Sequence, residues 1–119
     1  MKLETIQTQA KLNEIHTIGE PGPGGGYHEY RIVKSENPKQ SVGLFWFQNG
    51  HRNDPKSTPG VIDSDLLGVV RHRLQCFQAG ESACEYNQEA LEHIEKALEA
   101  MNRRVEDRIK RNVLATYQK

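Results

Sequence analysis

The sequence predicts an α+β protein: a small N-terminal antiparallel β-sheet followed by an antiparallel two-helix hairpin, forming one oligomeric domain over residues 1–119. Three observations predict it. Residues 11–50 hold three short segments rich in β-branched and aromatic side chains, separated by turn-forming stretches. Residues 61–113 repeat their apolar positions at intervals of three and four, the spacing of one helix face. The composition, 35% apolar and 27% charged over 119 residues and 13.6 kDa, is wet, but its apolar positions are too regularly spaced for a disordered chain.

The strands are expected in KLNEIHTI, YHEYRIV and SVGLFWF. GEPGPGGG separates the first two and KSENPKQ the second two, and both separators are rich in Gly, Pro, Asn and Ser. Three strands at this spacing predict a meander. In the third, Val42, Leu44 and Trp46 alternate with Phe45 and Phe47, which predicts at least partial cover on both faces. The first ten residues carry no clear pattern. HRNDPKSTPG, at 51–60, is a polar loop with two prolines that divides the β part from the helices.

The first helix is expected to start near Asp63 or Ser64, with Leu66, Val69, Val70, Leu74 and Phe77 as its apolar face. Gly80 is placed to be the residue just past its end. Ser82 and Glu85 read as an S-x-x-E capping box for a second helix running from about 83 to 112. Leu91, Ile94, Leu98, Met101 and Val105 form its seam. Thirty residues of helix span about 45 Å, whereas a compact globule of this chain length is roughly 35 Å across. The helix therefore overruns its own subunit, and a second copy is expected to pack on the seam.

Several function classes are excluded or disfavoured at this level. Sixteen Lys and Arg balance sixteen Asp and Glu, so net charge gives no reason to expect nucleic acid or acidic lipid as partner. No run of about eighteen apolar residues exists to make an ordinary membrane helix. The start, MKLETIQTQAKLNEI, lacks the apolar region of a secretory signal. Cys76 and Cys84 are too few for a disulfide framework or zinc knuckle. The expectation is a cytoplasmic protein with reduced thiols and no cofactor.

Charge along the second helix is uneven. Residues 81–100 carry six Glu and one Lys, whereas residues 102–119 carry six Arg and Lys against Glu106 and Asp107. This suits the helix dipole, with acids toward the N-terminus and bases toward the C-terminus. Counting sevens from Met101 places Ile94, Asn87 and Arg108 in one column, with Arg104 on an adjoining face. Buried Asn or Arg needs partners. Asn87 in the seam could fix register or oligomeric state, and the two arginines could form a solvated basic face.

A functional alternative follows from geometry. Phe77 and Asn87 flank the hairpin tip. Arg104 and Arg108 lie seventeen and twenty-one residues beyond Asn87, about 26 and 31 Å along a helix. No small ligand reaches both ends of one hairpin. Two hairpins packed antiparallel would bring the tip of one beside the basic end of the other. That cleft would offer an aromatic face for a base, an amide for an adenine edge and guanidiniums for phosphate.

Other motifs are weaker. PGPGGG precedes neither Lys-Ser/Thr nor a helix start, so it reads as a turn rather than a phosphate loop. Glu89 and His93, four apart, could be an acid/base or metal pair but have no supporting cluster. Cys76 and Cys84 read as small packing residues, and Ser64 and Ser82 as helix caps.

Phe77-Gln78-Ala79-Gly80, Ala83-Cys84, Asn87, ALEHIEKALEAM, Arg104 and Arg108 together resemble the helical hairpin shared by two phage immune-evasion families, the Thoeris anti-defence sponges and the smaller anti-CBASS sponges. KLNEIHTIGEPGPGGGYHEYRIV and the FQNG at 47–50 resemble the Thoeris sponges specifically. The resemblance covers roughly residues 11–113. It implies a non-enzymatic protein that binds cyclic ADP-ribose isomers (gcADPR), the messenger of a bacterial TIR enzyme, and sequesters them uncleaved. It also implies dimers that assemble into hexamers, with ligand between subunits. By position, Phe77 and Asn87 would contact the base side, Arg104 and Arg108 the phosphate side, and Arg52 would add a basic contact. Some relatives hold cyclic trinucleotides in a further pocket, and they end the helix with Arg-Gly-Val-x-Gly-Thr. Here that stretch is Arg111-Asn112-Val113-Leu114-Ala115-Thr116, lacking both glycines, which are the residues that readily take left-handed angles.

Two other classes stand beside this one. A messenger-degrading hydrolase would use Glu89 and His93. A structural or nucleic-acid-binding oligomer would use the basic end, against which the zero net charge counts.

Overall fold

A computed structural model describes residues 1–119, and its contacts divide the chain into two compact units, Met1–Val61 and Ile62–Lys119. The order of elements is three strands and then two helices, an α+β chain.

In the first unit, β1 (Asn13–Ile18), β2 (Glu29–Lys34) and β3 (Ser41–Trp46) form an antiparallel meander in the order β1-β2-β3. Ile15 pairs with Ile32 and Tyr30 with Phe45, so one face gathers aromatic and β-branched groups. There Tyr30 stacks on Phe45 at 5.6 Å, and Phe47 meets both rings edge-on at 5.7 Å. Such pairs stabilise a small sheet beyond simple area burial. The register slips between Ile32 and Val33, and Val33 is fully buried there.

The other face departs from expectation. Val42, Leu44 and Trp46 are 50, 58 and 50% exposed. The cause lies in the neighbouring strands. Trp46 pairs with Glu29 and Leu44 with Arg31, and these pair in turn with Ile18 and His16. The apolar row of β3 thus stands beside charged residues, and reading β3 alone misses them.

The first residues, unassigned from sequence, lie along β1: Leu3 N–H donates to the Ile15 carbonyl and Thr17 N–H to the Met1 carbonyl, both at 2.9 Å. Glu14 receives Lys2 at 3.5 Å and His16 at 3.1 Å. The glycine loop closes on itself, with Gly22 N–H donating to the Gly26 carbonyl at 2.8 Å. Gly22 also lies against the His28 ring, where a Cβ would sit 2.5 Å from Cε1, so no other residue fits unless that ring moves. Beyond β3, Trp46 Nε1 donates to the Pro59 carbonyl at 2.8 Å, and Gln48 N–H to the Val61 carbonyl at 2.9 Å. The 51–60 loop is thereby tied back onto the strand.

The second unit is the hairpin of α1 (Asp63–Gln78) and α2 (Glu85–Lys110). α1 starts as expected, and the Asp65 carboxylate accepts from Ile62 N–H at 3.0 Å. Gly80 stands just past the C-cap Ala79, as expected, though without a positive φ. Two capping expectations fail. The N-cap of α1 is Ile62, so Ser64 lies inside the helix. The N-cap of α2 is Cys84, whose Sγ accepts from Asn87 N–H at 3.4 Å, and Ser82 lies outside the helix. The helix has 26 residues, not thirty, and so spans about 39 Å. Leu91 is its buried apolar anchor, while α1 buries no residue fully. Arg71 Nη2 bridges the two helices to Glu95 at 2.6 Å. After α2 the chain turns back through Asn112 at φ 57° and Ala115 at φ 60°. No helix is long and apolar enough to cross a membrane.

Candidate functional site

The hairpin tip is built by a clasp. Gln78, the last residue of α1, donates from Nε2 to the Cys84 carbonyl and accepts at Oε1 from Cys84 N–H, both at 3.0 Å. One amide thereby satisfies both backbone groups of the residue that caps α2. The same Nε2 reaches Gln88 Oε1 at 3.3 Å. The clasp fixes the spacing between Phe77, one residue before it, and Asn87, one helical turn after it.

Phe77 is 38% exposed, an unusual setting for a phenyl ring, and Arg73 lies over it at 5.3 Å from the ring centroid. Asn87 is half-buried, and its Nδ2 donates to the Ser82 carbonyl at 3.4 Å. That contact orients the carboxamide and leaves its oxygen as an acceptor. The hairpin therefore carries a held aromatic ring in the last turn of α1 and a held amide in the first turn of α2.

The basic end differs from expectation in one respect. Arg104 is exposed, as a phosphate contact would need to be. Arg108 is 7% exposed, and its guanidinium donates to three backbone carbonyls: Gln118 at 2.6 Å, Val113 at 2.9 Å and Thr116 at 3.0 Å. It is neither a solvated cation nor an open one. Arg111 Nε pairs with Asp107 at 3.0 Å, and its Nη1 donates to the Lys119 carbonyl at 2.7 Å. Arg52 lies in the first unit, exposed in the turn closed by Asp54 N–H and the His51 carbonyl at 3.0 Å.

Within the hairpin, Phe77 and Asn87 share the tip, and Arg104 and Arg108 share the far end of α2, about 26 Å or more away along the axis. The hairpin's groove of about 220 Å³ is walled by Arg71, Glu95, Leu98, Glu99 and Asn102 and uses none of the four. Glu89 and His93 approach to 3.8 Å, but they are 70 and 69% exposed and joined by no third group. A solvated pair of this kind lacks the desolvation and orienting partner that acid–base work requires.

Sequence reasoning gave no structural role to Arg73 or Gln78, and read as a packing residue Cys84, which instead caps α2. Arg73 was within reach, since Arg and Phe four apart on a helix are neighbours. The contact between Gln78 and Cys84 carries no such signal, because it depends on the turn's path.

Residues 45–106, slightly more than half the chain, match the hairpin domain of the Acb2/Tad1 family. The chain is also similar to Thoeris anti-defense 1 of Bacillus phage SBSphiJ7, at 40% identity over 60 residues. The aligned part is 50% of this chain and 42% of that relative, so the match spans less than half the relative's length.

Proposed function

Because the chain belongs to the Acb2/Tad1 hairpin-domain family, we propose that it is a phage anti-defence sponge that binds cyclic ADP-ribose isomers (gcADPR) in the infected cell's cytoplasm and holds them uncleaved, silencing Thoeris immunity. The ligand sits between two copies whose hairpins pack antiparallel. Phe77 and Asn87 of one copy take the base, and Arg104 of the other takes phosphate. Arg108 belongs to the same basic end and Arg52 adds a further cation.

The observation that carries this reading is the separation of the two half-sites on one hairpin, together with the apolar surface left bare. On the hairpin Val69, Val70, Val105 and Ile109 are 60, 43, 38 and 56% exposed, large apolar side chains that a second copy would cover. Antiparallel packing would also set the acidic half of one α2 against the basic half of the other.

A sponge must outcompete the messenger's receptor, and a nanomolar dissociation constant corresponds to about −12 kcal/mol. A tip already fixed by the Gln78 clasp leaves little ordering to be done on binding, which favours such affinity. The test is recovery. Protein is mixed with a cyclic ADP-ribose isomer and then heat-denatured, and the supernatant is chromatographed. Intact messenger in the supernatant, after depletion from the native mixture, is the expected result. Linear or hydrolysed product would favour an enzyme, with Glu89 and His93 the first residues to substitute.

A second ligand class has one observation in its favour. Asn112 and Ala115, which stand where the relatives in the resemblance carry glycine, both take left-handed angles here. The backbone path is compatible with a cyclic-trinucleotide pocket, and the same mixture assay with a cyclic trinucleotide tests it.

A further inference from the structure

We infer that Arg108 serves ligand capture as a positioning residue, holding residues 112–118 against the end of α2, while Arg104 makes the direct phosphate contact. The inference rests on the proposed function for its ligand and on the hairpin's geometry for its division of labour.

Arg108 is buried to 7% exposure, and carbonyl dipoles face its charge. Nη2 gives both its hydrogens away, to the Val113 and Thr116 carbonyls at 2.9 and 3.0 Å, and Nη1 gives one to Gln118 at 2.6 Å. A guanidinium grips phosphate through a pair of parallel N–H groups. Both such pairs, Nε with Nη2 and Nη1 with Nη2, include Nη2. Neither is available while the segment is folded.

The segment is organised around this cation. Val113 is buried at 6% exposure, and Val113 N–H donates to the Arg108 carbonyl at 2.9 Å. Thr116 Oγ1 donates to the Val113 carbonyl at 2.6 Å and accepts from Gln118 N–H at 3.3 Å. Two left-handed residues, Asn112 and Ala115, lie within the same stretch. One charged side chain thus satisfies three acceptors spread over six residues. Lysine, with three donors on a single nitrogen and no planar fork, cannot reproduce the pattern. Arg104, one turn earlier on α2, is exposed.

The test combines amide hydrogen exchange of residues 112–118 with calorimetry against a cyclic ADP-ribose isomer. Arg104→Ala is expected to lose at least tenfold in affinity with the segment's protection unchanged. Arg108→Ala and Arg108→Lys are expected to lose that protection. Ala115→Pro keeps the Arg108 side chain but forbids the left-handed angle, and it should lower affinity as much as Arg108→Ala does. Combining the two should cost no more than either alone. A further tenfold loss on adding Arg108→Ala to Ala115→Pro would place Arg108 on the ligand and overturn the inference. So would tighter binding by Ala115→Pro, which would make the segment an occluding strap, or full segment protection in Arg108→Ala. If the unaltered protein takes up no isomer, the functional reading fails, while the exchange comparison still decides whether Arg108 anchors the segment.

Discussion

At residue scale, the chain keeps some side chains that are poor for their posts. Cys84 caps α2 through sulfur, a weak acceptor, at 3.4 Å from Asn87 N–H. Serine is a far better N-cap. Cys84→Ser is expected to stabilise the hairpin by about 0.5–1 kcal/mol, read as a higher midpoint in thermal or denaturant unfolding. Ala115 holds φ at 60°, which costs a non-glycine residue roughly 1 kcal/mol. Ala115→Gly should regain most of that in the same measurement, less the glycine's extra freedom in the unfolded chain. Glu14 behaves differently. The His16 hydrogen bond, aided by Lys2, holds its carboxyl below the usual 4.5 against the opposing effect of burial. A depressed folded-state value stabilises the fold above the usual carboxylate range, and that contribution is lost as pH falls through the lower folded value. Protection of the Leu3 and Thr17 amides should therefore fall in acid before that of α2.

At the scale of elements, the Gln78 clasp is what turns two helices into a site. Gln78→Ala removes two hydrogen bonds to Cys84. A loss of about 1–2 kcal/mol follows, with faster exchange across residues 79–88 and weaker ligand binding even though Phe77 and Asn87 are unaltered. Helices and strands were legible in the sequence because each rests on periodicity. Leu91, Ile94 and Leu98 mark α2, and alternation marks β3. Caps and faces were less legible. Ser82-x-x-Glu85 has the form of a capping box, but the clasp sets the helix start two residues later, at Cys84. The bare face of β3 depends on Glu29 and Arg31 across the ladder, which no single-strand pattern reveals. Arg108 follows the seam's heptad, so its column could be read, but the fold-back that supplies its acceptors depends on two residues with no glycine to signal the turn.

At the scale of the whole molecule, the buried apolar residues are Val33, Leu91 and Val113. So few are unusual for 119 residues. Much of the remaining apolar surface is on the hairpin, where a second copy is proposed to cover it. Association and ligand capture then become coupled, since anything that binds the dimer raises its stability by mass action. The unfolding midpoint should rise with protein concentration, and rise further with a cyclic ADP-ribose isomer present.

Subunit complementation tests the shared site most directly. Phe77→Ala and Arg104→Ala chains are unfolded together, refolded and titrated with a cyclic ADP-ribose isomer at a concentration where neither chain alone takes up isomer. If the cleft takes its ring from one copy and its arginine from the other, half the dimers are mixed and each mixed dimer has one intact site. About a quarter of normal capacity should return, at normal affinity. A mixture that remains as inactive as its two components would mean that each chain binds with its own residues, and the account of a site between subunits would be wrong.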